Sequence, residues 1–237
     1  MSKKNFDYAR RLTSNFQDYF FPKNCLNCGK EGSWLCESCI NSLFFMDARF
    51  CPFCGALSDI HAVCKKCEKE IGISAVFSLF KYNDSLVRKI IKNFKYRYIK
   101  DIGYELEPIF RKFIFKYKNL IDFEDAVLIP VPLHPRKEKE RGFNQAELLA
   151  NIISEILNIS VNAKCVKKCK KTKNQAKLDT DERLKNLTGA FRLIGDAPKK
   201  AVIVDDVFTT GATVREITNI LRSAGTEKIQ IITFARG

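Results

Sequence analysis

Two adjacent carboxylates, Asp205 and Asp206, follow a short apolar run, Ala201–Val204, and precede a loop of small and hydroxyl residues that includes Thr209, Thr210, Gly211, Ala212 and Thr213. An apolar run of this length suits a strand of a parallel sheet, and ligands of open α/β sheets sit just beyond the carboxyl ends of such strands. The carboxylates are placed to accept sugar hydroxyls or to face a magnesium-bound ligand. The loop adds hydroxyls, close backbone approach and, at Gly211, a turn that a β-carbon resists. Thr213 and Glu216 have the T-x-x-E spacing of a capping box, and Val214, Ile217, Ile220, Leu221 and Ala224 then share one helical face, with Gly225 as the stop. Unpaired amides at that helix start, aided by the dipole, favour a phosphate. The chemistry so defined is the holding of a sugar phosphate; the plainer use of the same residues is a solvated turn between strand and helix.

The stretch AVIVDDVFTTGAT resembles the phosphoribosyl pyrophosphate (PRPP) signature of type I phosphoribosyltransferases at every position: four apolar residues, two acids, two variable residues and a T-T-G-x-T-like loop. The resemblance implies that Asp205 and Asp206 hold the ribose hydroxyls, that Thr209 to Thr213 cradle the 5-phosphate, and that Mg2+ accompanies PRPP. Salvage enzymes for 6-oxopurines carry an Asp base where this chain has Thr209, so hypoxanthine and guanine are not expected as substrates.

A second strand, loop and helix lie upstream. Ala126–Leu133 is an apolar strand whose Pro130 and Pro132 argue for its end or an edge position. His134–Phe143 follows as a basic loop, in which Arg136, Lys137 and Lys139 read as a solvated charge run mixed with Glu138 and Glu140. Arg141 differs, because it abuts Gly142, where the backbone can fold close to an anion. Asn144 and Glu147 have the spacing of an N-cap and its partner, and Leu148, Leu149, Ile152, Ile153, Ile156 and Leu157 form a helical stripe. The strings PVPLHPRKEKERGFNQAELLA, QAKLDTDERLKNLTGAF and ITFARG are similar to those of the ComF competence proteins, in their ComFC branch. That resemblance implies a pyrophosphate loop at Pro132, Leu133 and His134, and a flexible segment carrying Gln175, Leu178, Arg183 and Asn186 that closes over the ligand.

Eight cysteines form four Cys-x-x-Cys pairs in one short region: Cys25 and Cys28, Cys36 and Cys39, Cys51 and Cys54, Cys64 and Cys67. Four thiolates make one closed zinc site, so the eight suffice for two structural Zn2+ ions of zinc-ribbon type, with Gly29 and Gly55 directly after a cysteine. Sequential pairing, Cys25 to Cys39 and Cys51 to Cys67, is the natural arrangement; a crossed one uses the same ligands. A disulfide framework belongs to exported chains, whereas the start MSKKNFDYARR carries no apolar leader core and no run of some 20 apolar residues occurs. Cys165 and Cys169, without further ligands nearby, read as ordinary thiols, and His61 as a loop residue. A region this short with few aliphatic residues depends on metal for its folding.

The chain has 237 residues and a formal charge of +14. Residues 1–75 hold ten Lys/Arg against eight Asp/Glu, so the excess lies in the remainder, and polyanions are the partners it suits. Arg88–Lys100 interleaves cations with Phe94, Tyr96 and Tyr98, a composition suited to single-stranded nucleic acid. Leu86, Ile90, Ile91, Phe94 and Tyr98 share a helical face, which assigns Phe94 to a core and leaves Lys92, Lys95, Tyr96 and Arg97, with Arg141, as the nucleic-acid candidates. Lys164–Lys177, with seven lysines and no acid, suits either a polyanion or a solvated segment.

The expected organisation is an amphipathic helix within residues 1–24, ended by Pro22, a double zinc ribbon over 25–70, and an α/β domain over 71–237 whose first strand is Ile73–Phe80. The fold class is a type I phosphoribosyltransferase fold, a parallel sheet flanked by helices, behind a small zinc-ribbon module. By resemblance the chain binds PRPP and acts in natural transformation on incoming single-stranded DNA in the cytoplasm, without a membrane span, beside a helicase-like ATPase of the competence machinery. Two other uses fit the same residues: an active transferase moving phosphoribose to a nitrogen acceptor, and a zinc-dependent protein-interaction scaffold.

Overall fold

The computed structural model describes residues 22–96, 100–170 and 187–237, apart from the side chain of Tyr96. The expected N-terminal helix, Arg97, and the closing-segment residues Gln175, Leu178, Arg183 and Asn186 lie outside the described residues. Two compact units emerge, residues 1–43 and 44–237, so the two cysteine clusters belong to different units.

In the smaller unit, Gly29 takes φ 76° and its N–H reaches the Cys25 carbonyl at 2.9 Å, closing the first knuckle. Helix α1 (Glu37–Asn41) starts at Cys36 and buries Cys39.

The larger unit opens with the same local pattern. Gly55 takes φ 74° and its N–H meets the Cys51 carbonyl at 3.0 Å, after which α2 (Lys65–Ile71) starts at Cys64 and stops at Gly72. Then come β1 (Ala75–Lys81), α3 (Ser85–Tyr96), α4 (Asp101–Glu105), α5 (Glu107–Tyr117), β2 (Ala126–Pro130), α6 (Pro135–Arg141), α7 (Gln145–Leu157), β3 (Val166–Lys168), β4 (Phe191–Leu193), β5 (Lys200–Phe208), α8 (Ala212–Ser223) and β6 (Lys228–Arg236). A four-stranded sheet in the order β1-β6-β5-β2 is parallel throughout, and β3 pairs with β4 as a separate antiparallel ribbon. Central strands β5 and β6 are buried along most of their length, as parallel strands covered on both faces must be. Between β1 and β6, Ser78 and Thr233 satisfy each other's buried hydroxyls at 2.8 Å. β2 takes the edge, where its terminal Pro130 removes no central ladder bond.

Five expectations change. Strand β2 stops at Pro130 rather than Leu133, where the proline ends the ladder. Strand β1 starts at Ala75 rather than Ile73. β5 runs to Phe208, so Asp205 and Asp206 lie inside the strand's final stretch, opposite the end of β6, rather than after it. The capping box is not formed: Gly211 caps α8 at φ 75°, the helix begins at Ala212, and Glu216 instead accepts the Gly189 N–H at 2.7 Å. The basic loop is helix α6, with His134 Nδ1 accepting the Arg136 N–H at 3.2 Å, Pro135 at its first position and Gly142 in the left-handed conformation at its end.

His61 does sit in a turn, at φ 61°, but its ring is buried against Phe77, Phe113 and Tyr117. Burial pushes its pKa down to about 4, so it is neutral at physiological pH. Cys165 is buried and Cys169 exposed, each a free thiol. Among the described residues no helix is long and apolar enough to cross a membrane.

Candidate functional site

A cavity of about 670 Å³ opens at the carboxyl ends of β5 and β2. Asp205 and Asp206 line it from β5, Thr209, Gly211, Ala212 and Thr213 from the following loop and helix start, and Pro132, Leu133 and His134 from the segment after β2. Segments far apart in the chain, expected from sequence to serve one ligand, therefore meet at one opening. Thr210 stands beside them, its hydroxyl accepting the Ala212 N–H at 3.4 Å.

The geometry around β2 is fixed by α7. Asn144 caps that helix by accepting the Ala146 N–H at 3.1 Å, while its amide donates to the Val131 carbonyl at 3.1 Å. Its neighbour Gln145, buried, donates to the Phe94 carbonyl at 3.2 Å and accepts from Arg141 Nη1 at 2.9 Å. One cap dipeptide thus anchors the β2 loop, α3 and the Arg141 guanidinium together. Phe94 is core, as its position on the apolar face requires, and its ring centroid lies 5.5 Å from that of Phe143.

Six cations line the cavity: Arg88, Lys92 and Lys95 from α3, Lys137 and Arg141 from α6, and Lys168 from β3. Against them stand two carboxylates, so the opening is strongly biased toward an anion. Lys95 bonds Asp206 at 2.8 Å. Burial alone would lower the Lys95 pKa, but the charge of Asp206 and its hydrogen bond outweigh this and hold it above its ordinary value. Asp205, pressed by burial and then by the Asp206 charge, rises to about 7. Lys168 falls to about 8 through burial and the nearby Lys137, and Lys137 is itself lowered by burial and by Arg141. Such crowded like charges are relieved by a ligand bearing the opposite sign.

Lys137 corrects the sequence reading, which placed it in a solvated run. The signal was present: Pro135 and Gly142 bracket a short helix, and within it Lys137 and Arg141 are four apart and share a face. Lys168 and Arg88 lie in the cation-rich stretches Lys164–Lys177 and Arg88–Lys100, but nothing local singled them out, because only the packing of β3 and α3 brings them to the opening. Of the nucleic-acid candidates, Lys92, Lys95 and Arg141 line this same cavity.

Both cysteine clusters assemble sequentially: Cys25, Cys28, Cys36 and Cys39 in one, Cys51, Cys54, Cys64 and Cys67 in the other, the sulphurs of each lying within 4.8 Å of one another. Four sulphurs each ~2.3 Å from a tetrahedral zinc stand about 3.8 Å apart, so both sets fit that ion. Burial opposes ionisation of Cys51, yet amide donors from Cys64, Phe53 and Cys54 lower its pKa to about 6, preparing a thiolate. Zinc bound there supplies folding energy rather than chemistry, since all four ligands come from protein.

A family model described as a double zinc ribbon domain matches residues 16–73, and one described as a phosphoribosyl transferase domain matches residues 144–237. Competence protein F of Haemophilus influenzae is 30% identical over 243 residues, covering 92% of this chain and 98% of the relative. Competence protein ComFC of Bacillus subtilis is 29% identical over 206 residues, covering 83% and 81% of the two chains. DNA utilization protein YhgH of Escherichia coli K12 is 29% identical over 211 residues, covering 86% and 92%. The parallel sheet with flanking helices is accordingly a type I phosphoribosyltransferase fold, and two zinc-ribbon clusters precede it or open its compact unit.

Proposed function

Because the chain belongs to the competence protein F (ComF) family of competence and DNA utilization proteins, we propose that it binds PRPP with Mg2+ in the cavity at the end of β5 and acts on single-stranded DNA entering the cytoplasm, beside a helicase-like ATPase. The observation that carries this reading is the meeting of Asp205, Asp206 and the Thr209–Thr213 loop with the Pro132–His134 segment around one cation-lined opening. Asp205 and Asp206 hold the ribose hydroxyls, the only carboxylates in the cavity lining among the described residues. Gly211, by leaving out a β-carbon, lets the loop amides and the N-terminus of α8 close on the 5-phosphate. Lys137, Arg141 and Lys168 face the diphosphate, whose charge raises the lowered pKa values of the two lysines. Mg2+, a hard cation preferring oxygen ligands, neutralises the diphosphate and suits the carboxylate pair.

The cations of α3 and α6 also favour DNA. Lys92 is exposed, Arg141 sits at the end of α6, and both border the opening, so a strand whose phosphates follow them passes over the PRPP site. Calorimetric titration of Mg2+ and PRPP into the wild type and the Thr213→Ala variant tests the reading. The expected result is saturable binding, weakened about tenfold when the Thr213 hydroxyl no longer bonds the phosphate. Equal affinity in a folded variant removes the loop from the phosphate site, and no heat with the wild type removes PRPP.

A further inference from the structure

The Cys51-x-x-Cys54 knuckle reaches into the floor of the phosphate loop. A β-carbon on Gly211 would stand 2.7 Å from Phe53 Cε1 and 2.9 Å from Phe208 Cζ, so these two rings occupy the space beneath the loop's tightest turn. Phe53 packs edge-on against Phe208, with centroids 5.6 Å apart at 72°. The Arg215 guanidinium lies 4.5 Å from the Phe53 centroid. Its buried Nε has no hydrogen-bond partner among the described residues, and the Phe53 face is a cation–π contact of the group. Cys51 and Cys67 belong to the same apolar core as Phe208, Ala212 and Val214, and Phe53 and Cys64 pack on it.

Phe53 therefore has two attachments. Its backbone N–H bonds the Cys51 sulphur, while its ring supports Gly211. We propose that the second cysteine cluster, through Phe53, braces the phosphate loop, making Phe53 a positioning residue for the anion bound there; this rests on the reading of Thr209–Thr213 as that loop. The physical reason is that Gly211 must hold φ 75° for the loop amides to converge. Within the loop the Thr210 hydroxyl spans the turn to the Ala212 N–H at 3.4 Å, a long contact, and the two rings beneath add the packing. Metal held by Cys51, Cys54, Cys64 and Cys67 would fix the knuckle, the knuckle carries the ring, and the ring fills the volume into which the turn would otherwise relax.

Three variants of the full chain test the brace: Phe53→Ala, Phe53→Leu, and the pair Cys28→Ser with Cys36→Ser, which disables the first cluster only. Zinc content, amide hydrogen exchange over residues 208–216 and calorimetric PRPP affinity are measured on each. Phe53→Ala is expected to keep two zinc ions, exchange about tenfold faster across the loop and bind PRPP about tenfold more weakly. Phe53→Leu, which refills part of the volume, is expected to recover most of both effects, and it decides the matter if Phe53→Ala sheds its second zinc. The double serine variant is expected to release one zinc and leave loop exchange unchanged. Unchanged loop exchange and affinity in zinc-replete Phe53→Ala overturn the proposal. Faster loop exchange in that variant, combined with a wild type that does not bind PRPP, upholds the brace and overturns the ligand.

Discussion

Replacing Asp206 by Asn separates ribose recognition from plain anion binding. The Lys95 ammonium lies 2.8 Å from Asp206 Oδ1, the two side chains being 23% and 12% exposed. At an effective dielectric of ~20 that distance corresponds to a gross attraction of about 6 kcal/mol. Residual water and desolvation reduce the net value, and removing one partner of such a pair costs ~3 kcal/mol. Asp206→Asn removes one negative charge and frees Lys95 for an entering anion. It also removes the cause that, after burial, holds the Asp205 carboxyl up at about 7. PRPP then forgoes charge-assisted hydrogen bonds to its ribose, worth about 1.5 to 3 kcal/mol, so its affinity relative to that of inorganic pyrophosphate is expected to fall ~10- to 150-fold. Inorganic pyrophosphate has no ribose to be held. Its affinity is expected to rise about tenfold, since roughly half of the released ~3 kcal/mol becomes available to it. In the wild type, PRPP affinity falls as pH drops through about 7, where Asp205 takes up a proton; in Asp206→Asn that fall moves to lower pH. Calorimetry with both ligands in Mg2+ buffers from about pH 6 to 8.5, spanning the Asp205 titration, reads all three effects. Parallel weakening of PRPP and pyrophosphate would refute the division of labour between the carboxylates and the cations.

Asp205→Asn is expected to make the ligand-free protein more stable at pH 8 by ~1 to 3 kcal/mol while abolishing tight PRPP binding. The sign follows from a folded-state pKa of about 7 against an ordinary 3.8: the folded form keeps a proton that the unfolded chain has lost, so stability falls as pH rises through that window. Chemical denaturation at pH 5 and pH 8 checks it, and equal stabilities of wild type and variant at pH 8 contradict it. Freshly purified, reduced protein is expected to contain two zinc ions per chain, one for each sequential cluster, and elemental analysis finding one or none excludes at least one site. Single-stranded DNA affinity is expected to fall steeply with salt, and the double variant Lys92→Ala, Arg141→Ala is expected to flatten the log–log slope by roughly 0.7 for each phosphate left unneutralised. Filter binding across a salt series measures this, and equal slopes take that surface out of the DNA path.

The chemistry of the two main sites was readable from local sequence because each is short and its residues have few substitutes. Only thiolates at Cys-x-x-Cys spacing close a four-sulphur zinc site, and an apolar strand ending in Asp205-Asp206 before Thr-Thr-Gly-Ala-Thr presents carboxylates and amides in one order along the chain. Asn144 likewise announced its helix, since a cap acts on amides two residues away. Tertiary structure decided what depends on chain segments far apart. It chose sequential over crossed cysteine pairing, which spacing left open because both use the same eight sulphurs. It extended β5 past the apolar run, because pairing with β6 continues to Phe208 and supports carboxylates that hydrophobicity alone would exclude from a strand. It turned Lys95 from a surface cation into the partner of Asp206, and brought Lys137, Lys168 and Arg88 to the same opening from three separate elements. Most of all, it set Phe53 of a zinc knuckle beneath Gly211, 158 positions later in the chain, a packing with no local signature. Residue type and spacing determine which groups can bind metal or phosphate; the packing of the sheet and knuckle determines which of them share a charge, a cavity and a turn.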